Sequence, residues 1–222
     1  MTTPAVESYL EIIFMLNAEG QAAIGARLAE SLHVSRPTVT ATIKRMVREG
    51  LVKTNDHKEI QMTPKGQAIA EQLQHRHRIV ERWLTDVLGL DWAQSDAEAH
   101  KLEHAMSDPV VELLNKHLGY PSTCPHGNPI PGNARGVTTV DRKVFHLDLA
   151  KEGDRVIVTR VSEYAENVGE LLEYLGSHGL IPGATITVVE LAPFKGPLTL
   201  KLGTRTISLS RDIAKFVWVK PE

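Results

Sequence analysis

The sequence predicts a mainly α-helical chain with a small β domain at its end. Three observations predict it. Apolar residues recur at helical spacing through most of the first 118 residues; after residue 143 the pattern changes to short β-rich segments; and between them lies GYPSTCPHGNPIPGNARG (119–136), dense in Gly and Pro. The length of 222 residues admits one large domain or two to three small ones, at roughly 100–200 residues per domain.

The front reads as helices around one hairpin. Tyr9, Leu10, Ile13, Phe14 and Leu16 mark the first helix, and Ile24, Leu28, Ala29 and Leu32 a short second one. After the tight His33-Val34-Ser35 connection, Ser35 is placed to cap a third helix carrying Val39, Ile43, Met46 and Val47. Pro37 fits in its first turn, where a missing N–H costs little, and Gly50 ends it. LVKTND and KEIQMT read as two short strands around Asn55-Asp56-His57-Lys58, and Thr63-Pro64 opens a long helix. Helix, helix, turn, helix, hairpin, helix is the order of a winged helix-turn-helix, assigned to residues 1–72.

The middle, residues 73–140, is read as two helices, one from about 64 to 88 and one from about 95 to 118, followed by the Gly/Pro-rich loop as linker. Ser95 with Glu98 forms a capping box for the second, and Asp108-Pro109 restarts or kinks it. In residues 141–222, RVIVTRV, ATITVVEL, PLTLKL, TISLS and KFVWV are strand candidates, and VGELLEYLGSHG is a short helix ended by Gly. A small SH3-like β-barrel with one inserted helix fits this pattern.

Composition excludes several classes. The net charge of −2 argues against a polybasic protein, but residues 25–65 carry a net +4, while residues 75–140 carry −2 and six of the ten histidines. One cysteine, Cys124, rules out an intramolecular disulfide and an all-cysteine zinc site, and it suggests a reducing compartment. The first residues, MTTPAVESYLEIIFML, lack the basic start of a signal peptide, and no apolar run reaches membrane-spanning length. A cytoplasmic protein with no membrane partner is expected.

The basic front suits DNA. A recognition helix presents small polar residues at its start, which faces base edges in the major groove. Here those are Ser35, Arg36, Pro37, Thr38 and Thr40. Arg36 can meet a guanine or a phosphate; Arg27, Lys44, Arg45 and Lys58 suit phosphates, which supply affinity without sequence. The competing reading is a winged helix used for protein contact, its charges merely solvated.

The middle suits a metal. His77 and Glu81 lie at i, i+4, and His100, Glu103 and His104 at i, i+3, i+4, so each set shares one helix face. Glu11 and Ser8, one turn apart on the first helix, are further donors. Cys124 and His126, two residues apart on an extended loop, can turn to one ion, and Glu163 and Glu166 can add oxygens if the third domain folds back. Imidazole with carboxylate suits manganese, iron or zinc. The competing reading is solvated His and Glu on amphipathic helices. His100-Lys101-Leu102-Glu103-His104 also matches the H-x-x-E-H pattern of inverted zinc proteases, but three small domains leave little room for such an enzyme.

In this order, ESYLEIIFML, LAESLHVSRPTVTATIKRMVREGLV, MTPKG, HRIVERWL, EAHKLEHAMSD and HGNPIPG resemble the DtxR/MntR family of iron- and manganese-dependent transcriptional repressors, across nearly the whole chain. The resemblance implies a non-enzymatic homodimer that binds palindromic operators in double-stranded DNA when loaded with metal. It implies a DNA-binding domain (1–72), a helical dimerisation and metal-binding domain with its linker (73–140) and an SH3-like, FeoA-type domain (141–222). It also implies two metal sites. The regulatory one would use Ser8, Glu11, His77, His100, Glu103 and His104; the second would use His77, Glu81, Cys124, His126, Glu163 and Glu166. Position 8 is Met in the iron branch and Asp in the manganese branch but Ser8 here, and position 100 is Cys or Glu there but His100 here. Ala41 replaces a recognition-helix glutamine of the iron branch. Glu11 and Cys124-Pro125-His126 match the manganese branch, so Mn2+ is expected first and Fe2+ second, with Zn2+ or Cd2+ filling the sites in vitro. The alternative is a metal-binding or assembly module without specific DNA readout.

Overall fold

A computed structural model describes residues 2–133, 143–164 and 168–222, without the side chain of residue 168. The predicted boundary at 140/141 lies outside the described residues.

The front matches the predicted order: α1 (Pro4–Ala18), α2 (Gly25–Ser31), α3 (Arg36–Arg48), β1 (Val52–Thr54), β2 (Ile60–Met62) and α4 (Pro64–Asp86). Val6, Leu10, Ile13 and Leu16 of α1 pack with Leu28, Val39, Met46 and Ile60 in one apolar core. Ser35 caps α3, its hydroxyl accepting from Thr38 N at 3.3 Å. β1 and β2 pair antiparallel with Lys53 opposite Gln61. Thr63 caps α4, accepting from Gly66 N at 3.1 Å. A Cβ on Gly66 would fall 2.1 Å from Leu51 O, so glycine lets α4 start directly against the wing. α4 then runs on unbroken through the predicted division at 72/73.

The middle departs from expectation. The segment predicted as helix over 95–118, with a restart or kink at Asp108-Pro109, is two helices, α5 (Trp92–Leu102) and α6, which starts at Asp108 (Asp108–His117). Pro109 sits in the first turn of α6, where it begins a helix but could not continue one. The N-cap of α5 is Asp91, which accepts from Gln94 N at 2.8 Å, rather than Ser95. Ser95 is buried inside the helix and accepts from the Thr85 hydroxyl at 2.8 Å.

The third unit carries β3 (Phe145–His146), a 3-10 turn (Leu147–Leu149), β4 (Arg155–Val161), α7 (Val168–Ser177), β5 (Thr185–Leu191), β6 (Leu198–Leu202), β7 (Arg205–Leu209), α8 (Arg211–Ala214) and β8 (Val217–Pro221). All five predicted strands are present, joined by the two-residue β3. The sheet has the order β3-β8-β4-β5-β6-β7 and is antiparallel. The unit has the predicted SH3-like arrangement; its end strands, β3 and β7, do not pair among the described residues, so the sheet is not closed. Alternate residues of β4 and β5 pack with Leu172, Leu175 and Leu180. The unit docks on the middle at Gly176, where an added Cβ would lie 3.6 Å from the Trp92 ring.

Candidate metal centres between the domains

α4 carries Gln74, His77, Arg78 and Glu81 buried, although a polar helix face is normally solvated. That buried face is where the donors meet. The loop after α6 brings two more. Cys124 N donates to Asn128 O and Gly127 N to Cys124 O, closing a turn that aims Cys124 and His126 at Glu81. The turn needs glycine: Gly127 has φ +85°, and a Cβ there would lie 2.3 Å from Thr159 O on β4.

Ligand atoms of Glu81, Cys124, His126 and Glu163 lie within 4.8 Å of one another. Cys124 Sγ donates to Glu163 Oε1 at 3.0 Å, and His126 Nδ1 is 3.0 Å from Glu81 Oε1 and 3.5 Å from Glu163 Oε1. The Glu81–His126 approach lacks hydrogen-bond geometry: both Glu81 oxygens and both His126 nitrogens are buried without a hydrogen-bond partner. Buried charge without partners is costly, and a cation among these four donors would remove the cost. The donor set therefore fits a divalent metal. Burial pushes the Cys124 thiol up to about 12, helped by the charges of Glu163 and Glu81. Burial opposes the charged forms of His126 and Glu163, but neighbours outweigh it: Glu81 raises His126, and Arg78, 2.9 Å from Glu163 Oε2, holds Glu163 well below the usual carboxylate range.

His77 belongs to a second constellation. Its Nδ1 is 2.7 Å from Glu103 Oε2 and its Nε2 is 3.5 Å from Asp96 Oδ1. His77, Glu81 and Asp96 form one possible donor group, and His77, His100 and Glu103 another. A third joins Glu11 of α1 to Glu103 and His104. His104 Nε2 is 3.2 Å from Glu103 Oε1, and its Nδ1 is 3.0 Å from Glu7 Oε2. Burial, then the Glu103 charge, raise the Glu11 carboxyl to about 7. Burial also works against the Glu103 carboxylate, but hydrogen bonds from His100 and His77 prevail and lower it to about 2. Hydrogen bonds to Asp96 and Glu103 outweigh burial in the same way and raise His77.

Most predicted donors are thus brought together: Glu11, His77, Glu81, His100, Glu103, His104, Cys124, His126 and Glu163. Ser8 turns its hydroxyl to Pro4 O at 3.2 Å, and the α1 residue against His104 is Glu7. Glu7 and Ser8, four and three residues before Glu11, both lie on its side of α1, and Glu7 is the one whose carboxylate meets His104. Glu166 lies outside the described residues. Sequence reasoning missed Glu7 and Asp96. The available signal was spacing: Glu7 is i−4 from Glu11, and Asp96 is i−4 from His100.

Elsewhere on the front unit, Ser35, Arg36, Pro37, Thr38, Thr40 and Lys44 are exposed at the cap and along α3, with Lys58 exposed at the wing. Arg27 and Arg45 are partly committed inside the unit, Arg27 donating to Ala22 O at 2.7 Å and Arg45 to Thr3 Oγ1 at 3.2 Å. Arg48, four residues after Lys44, is exposed as well.

Three family models match the chain in succession. They are described as the iron dependent repressor N-terminal DNA binding domain (residues 1–60), the iron dependent repressor metal binding and dimerisation domain (63–132) and the FeoA domain (145–221). The chain is 36% identical over 221 residues to the iron-dependent repressor IdeR of Mycobacterium tuberculosis, spanning 96% of each. It is 44% identical over 219 residues to the diphtheria toxin repressor of Corynebacterium glutamicum, spanning 96% of this chain and 95% of that one. A solved manganese-dependent transcriptional repressor in complex with manganese matches with a TM-score of 0.86 at 29% identity, over 98% of this chain and 100% of that one. These relatives are repressors rather than enzymes, which sets aside the protease reading of His100–His104. The chain belongs to the DtxR/MntR family of metal-dependent transcriptional repressors.

Proposed function

We propose that this protein is a manganese-responsive homodimeric repressor that binds palindromic operators of metal-homeostasis genes when loaded, with iron as the second candidate metal. The observation that carries the reading is the group Glu11, Glu103 and His104, whose donor atoms come from helix α1 of the DNA-binding domain and from the end of α5, within 4.8 Å of one another. When bound, a divalent cation supplies the positive charge these buried carboxylates lack. Glu11 then holds α1 to the middle unit, and with it the position of α3. His77 and His100 complete the regulatory donor set around Glu103, with Ser8 and Glu7 as the further donors of α1. Glu81, Cys124, His126 and Glu163 form the second set, with Glu166 and Asp96 as further donors and His77 between the two sets. The oxygen donors Glu11 and Glu103 suit manganese, while nitrogen and thiolate donors also accept zinc or cadmium in vitro.

Ser35, Arg36, Pro37, Thr38 and Thr40 read the major groove, while Lys44 and Lys58, with lesser parts for Arg27 and Arg45, hold phosphates. A dimer presents two such helices, about 34 Å or a multiple apart on the duplex. Exposed Val110 and Leu113 on α6, at 43% and 67%, support a self-association surface there. We place the functional units at 1–72, 73–140 and 141–222. Among the described residues no helix is long and apolar enough to cross a membrane, and a cytoplasmic repressor is the reading we adopt.

The test is titration of the purified protein with Mn2+, Fe2+ and Zn2+, reading occupancy and gel-shift binding to a palindromic promoter fragment together. Raw affinity favours zinc over manganese in any such site, so occupancy alone does not rank the metals. Manganese that fills the sites and leaves DNA affinity unchanged overturns the proposal.

A further inference from the structure

The third unit grips the DNA-binding domain at a place that neither donor group explains. Glu19 is the C-cap residue of α1, where the negative end of the helix dipole repels a carboxylate. Yet its side chain is only 7% exposed. The third unit takes up both of its oxygens. Arg160 Nη1 donates to Oε1 at 2.5 Å, and Trp218 Nε1 donates to Oε2 at 2.9 Å. The same guanidinium reaches Ala18 O, a carbonyl at the end of α1, at 3.4 Å through Nη2. Its Cζ lies 4.2 Å from the Trp218 ring centroid. Arg160 and Trp218 are cross-strand partners on β4 and β8, and the register shift between Val158 and Arg160 sets the direction of the arginine.

This contact continues into the second donor group. Arg160 Nη1 also donates to Asn128 Oδ1 at 3.1 Å, and Asn128 Nδ2 donates to Glu163 Oε1 at 2.8 Å. That oxygen is the one that accepts from Cys124. Asn128 is 4% exposed, and a second hydrogen bond, to Val161 O at 2.8 Å, fixes its amide. A continuous chain of polar contacts thus runs Glu19–Arg160–Asn128–Glu163.

We propose that Arg160 and Trp218 clasp the C-terminal end of α1, and that Asn128 couples the clasp to the Glu81–Cys124–His126–Glu163 group, so that loading of the group and docking of the DNA-binding domain strengthen each other. Arg160, Trp218, Glu19 and Asn128 are positioning residues here. The coupling rests on the reading of that group as a metal site, and the experiment separates the two. Cys124 is the sole cysteine, so the ultraviolet band of a cadmium–thiolate bond reports that group alone in the full chain. Glu19→Gln keeps the shape but turns an amide NH2 toward one of two donors; Trp218→Phe keeps a ring and removes the N–H. Both should lower Cd2+ affinity read from that band by about fivefold or more, since the coupling is reciprocal. In the metal-free protein, both should speed amide hydrogen exchange in the last turn of α1. Wild-type exchange there overturns the clasp. Faster exchange with wild-type Cd2+ affinity overturns the coupling. Absence of the band in the wild type overturns the metal reading of the group and the coupling with it, and the exchange measurement still decides the clasp.

Discussion

Glu11→Gln should stabilise the metal-free protein while disabling its response to metal, with a pH dependence that identifies the cause. The Glu11 carboxyl titrates near 4.5 in the unfolded chain and near 7 in the fold, chiefly because it is buried and secondly because Glu103 lies beside it. Between those values the folded state holds a proton that the unfolded state has released, so stability falls as pH rises through the interval. From 4.5 to about 7, at 1.36 kcal/mol per pH unit, the loss is about 3 kcal/mol once pH exceeds 7. Glutamine cannot ionise and escapes it. Relative to wild type, the variant should gain under about 1 kcal/mol at pH 5 and about 3 kcal/mol at pH 8, the latter roughly 6–12 °C in thermal midpoint for a chain of this size. Thermal unfolding in chelator at the two pH values measures this. The same variant removes the carboxylate that α1 contributes to the regulatory group, and manganese-dependent DNA binding should fall at least about tenfold. An equal gain at both pH values, or DNA binding that responds to manganese as in wild type, would refute the reasoning.

Three further outcomes are expected. Manganese binding should tighten from pH 6 to pH 8 and release protons, because Glu11 keeps its proton to about 7 and His77 is held protonated above its ordinary range; titration calorimetry in buffers of different ionisation enthalpy counts those protons. Gly127→Ala places a Cβ 2.3 Å from Thr159 O at a φ of +85°, so it should unseat the Cys124–His126 turn; the Cys124 thiol, 1% exposed in the wild type, should then react with a thiol reagent at a measurable rate. Replacing Arg36 and Lys44 together by alanine should weaken DNA binding and flatten the slope of log affinity against log salt by about 1, for the phosphate held by Lys44, read by fluorescence anisotropy; an unchanged slope would remove α3 as the phosphate-contacting element.

Local signals carried the sequence reading where local chemistry decides structure. Ser35 and Thr63 cap the helices that their position before Pro37 and Pro64 suggested, and the strands of the third unit follow their β-branched runs. The reading failed where tertiary packing overrides a local rule. Ser95 with Glu98 satisfies the capping-box pattern, but Asp91 takes the cap because the Ser95 hydroxyl is drawn into a buried contact with Thr85. Alternation gives the strands of the third unit but not whether its sheet closes, and among the described residues β7 and β3 do not pair. His77–Glu81 and His100–Glu103–His104 were legible from helical spacing. Glu7 and Asp96 were not singled out, because a carboxylate near a helix start is ordinarily solvated and only the partner helix reveals which ones meet a histidine.

The middle unit explains why metal and domain arrangement are one problem. Its apolar core is thin: Ile79, Val111 and Ile130 form one small group and Val80, Leu84 and Ala99 another. Between α4 and its neighbours lie Glu81, Glu103, His77 and His126, all buried. A fold optimised for stability alone would fill those positions with apolar side chains. Two of the donor groups instead complete themselves across a boundary, Glu11 from the front with Glu103 and His104, and Glu163 from the third unit with Glu81, Cys124 and His126. The carboxylates therefore repel one another most when the units are docked without a compensating charge, and attract a cation most in that same docked arrangement. If the groups hold metal as proposed, affinity for metal and affinity between units are two readings of a single coupling energy, typically about 1–3 kcal/mol. In the proposed function, the polar face of α4 is the element through which one ion changes the position of a DNA-reading helix it does not touch.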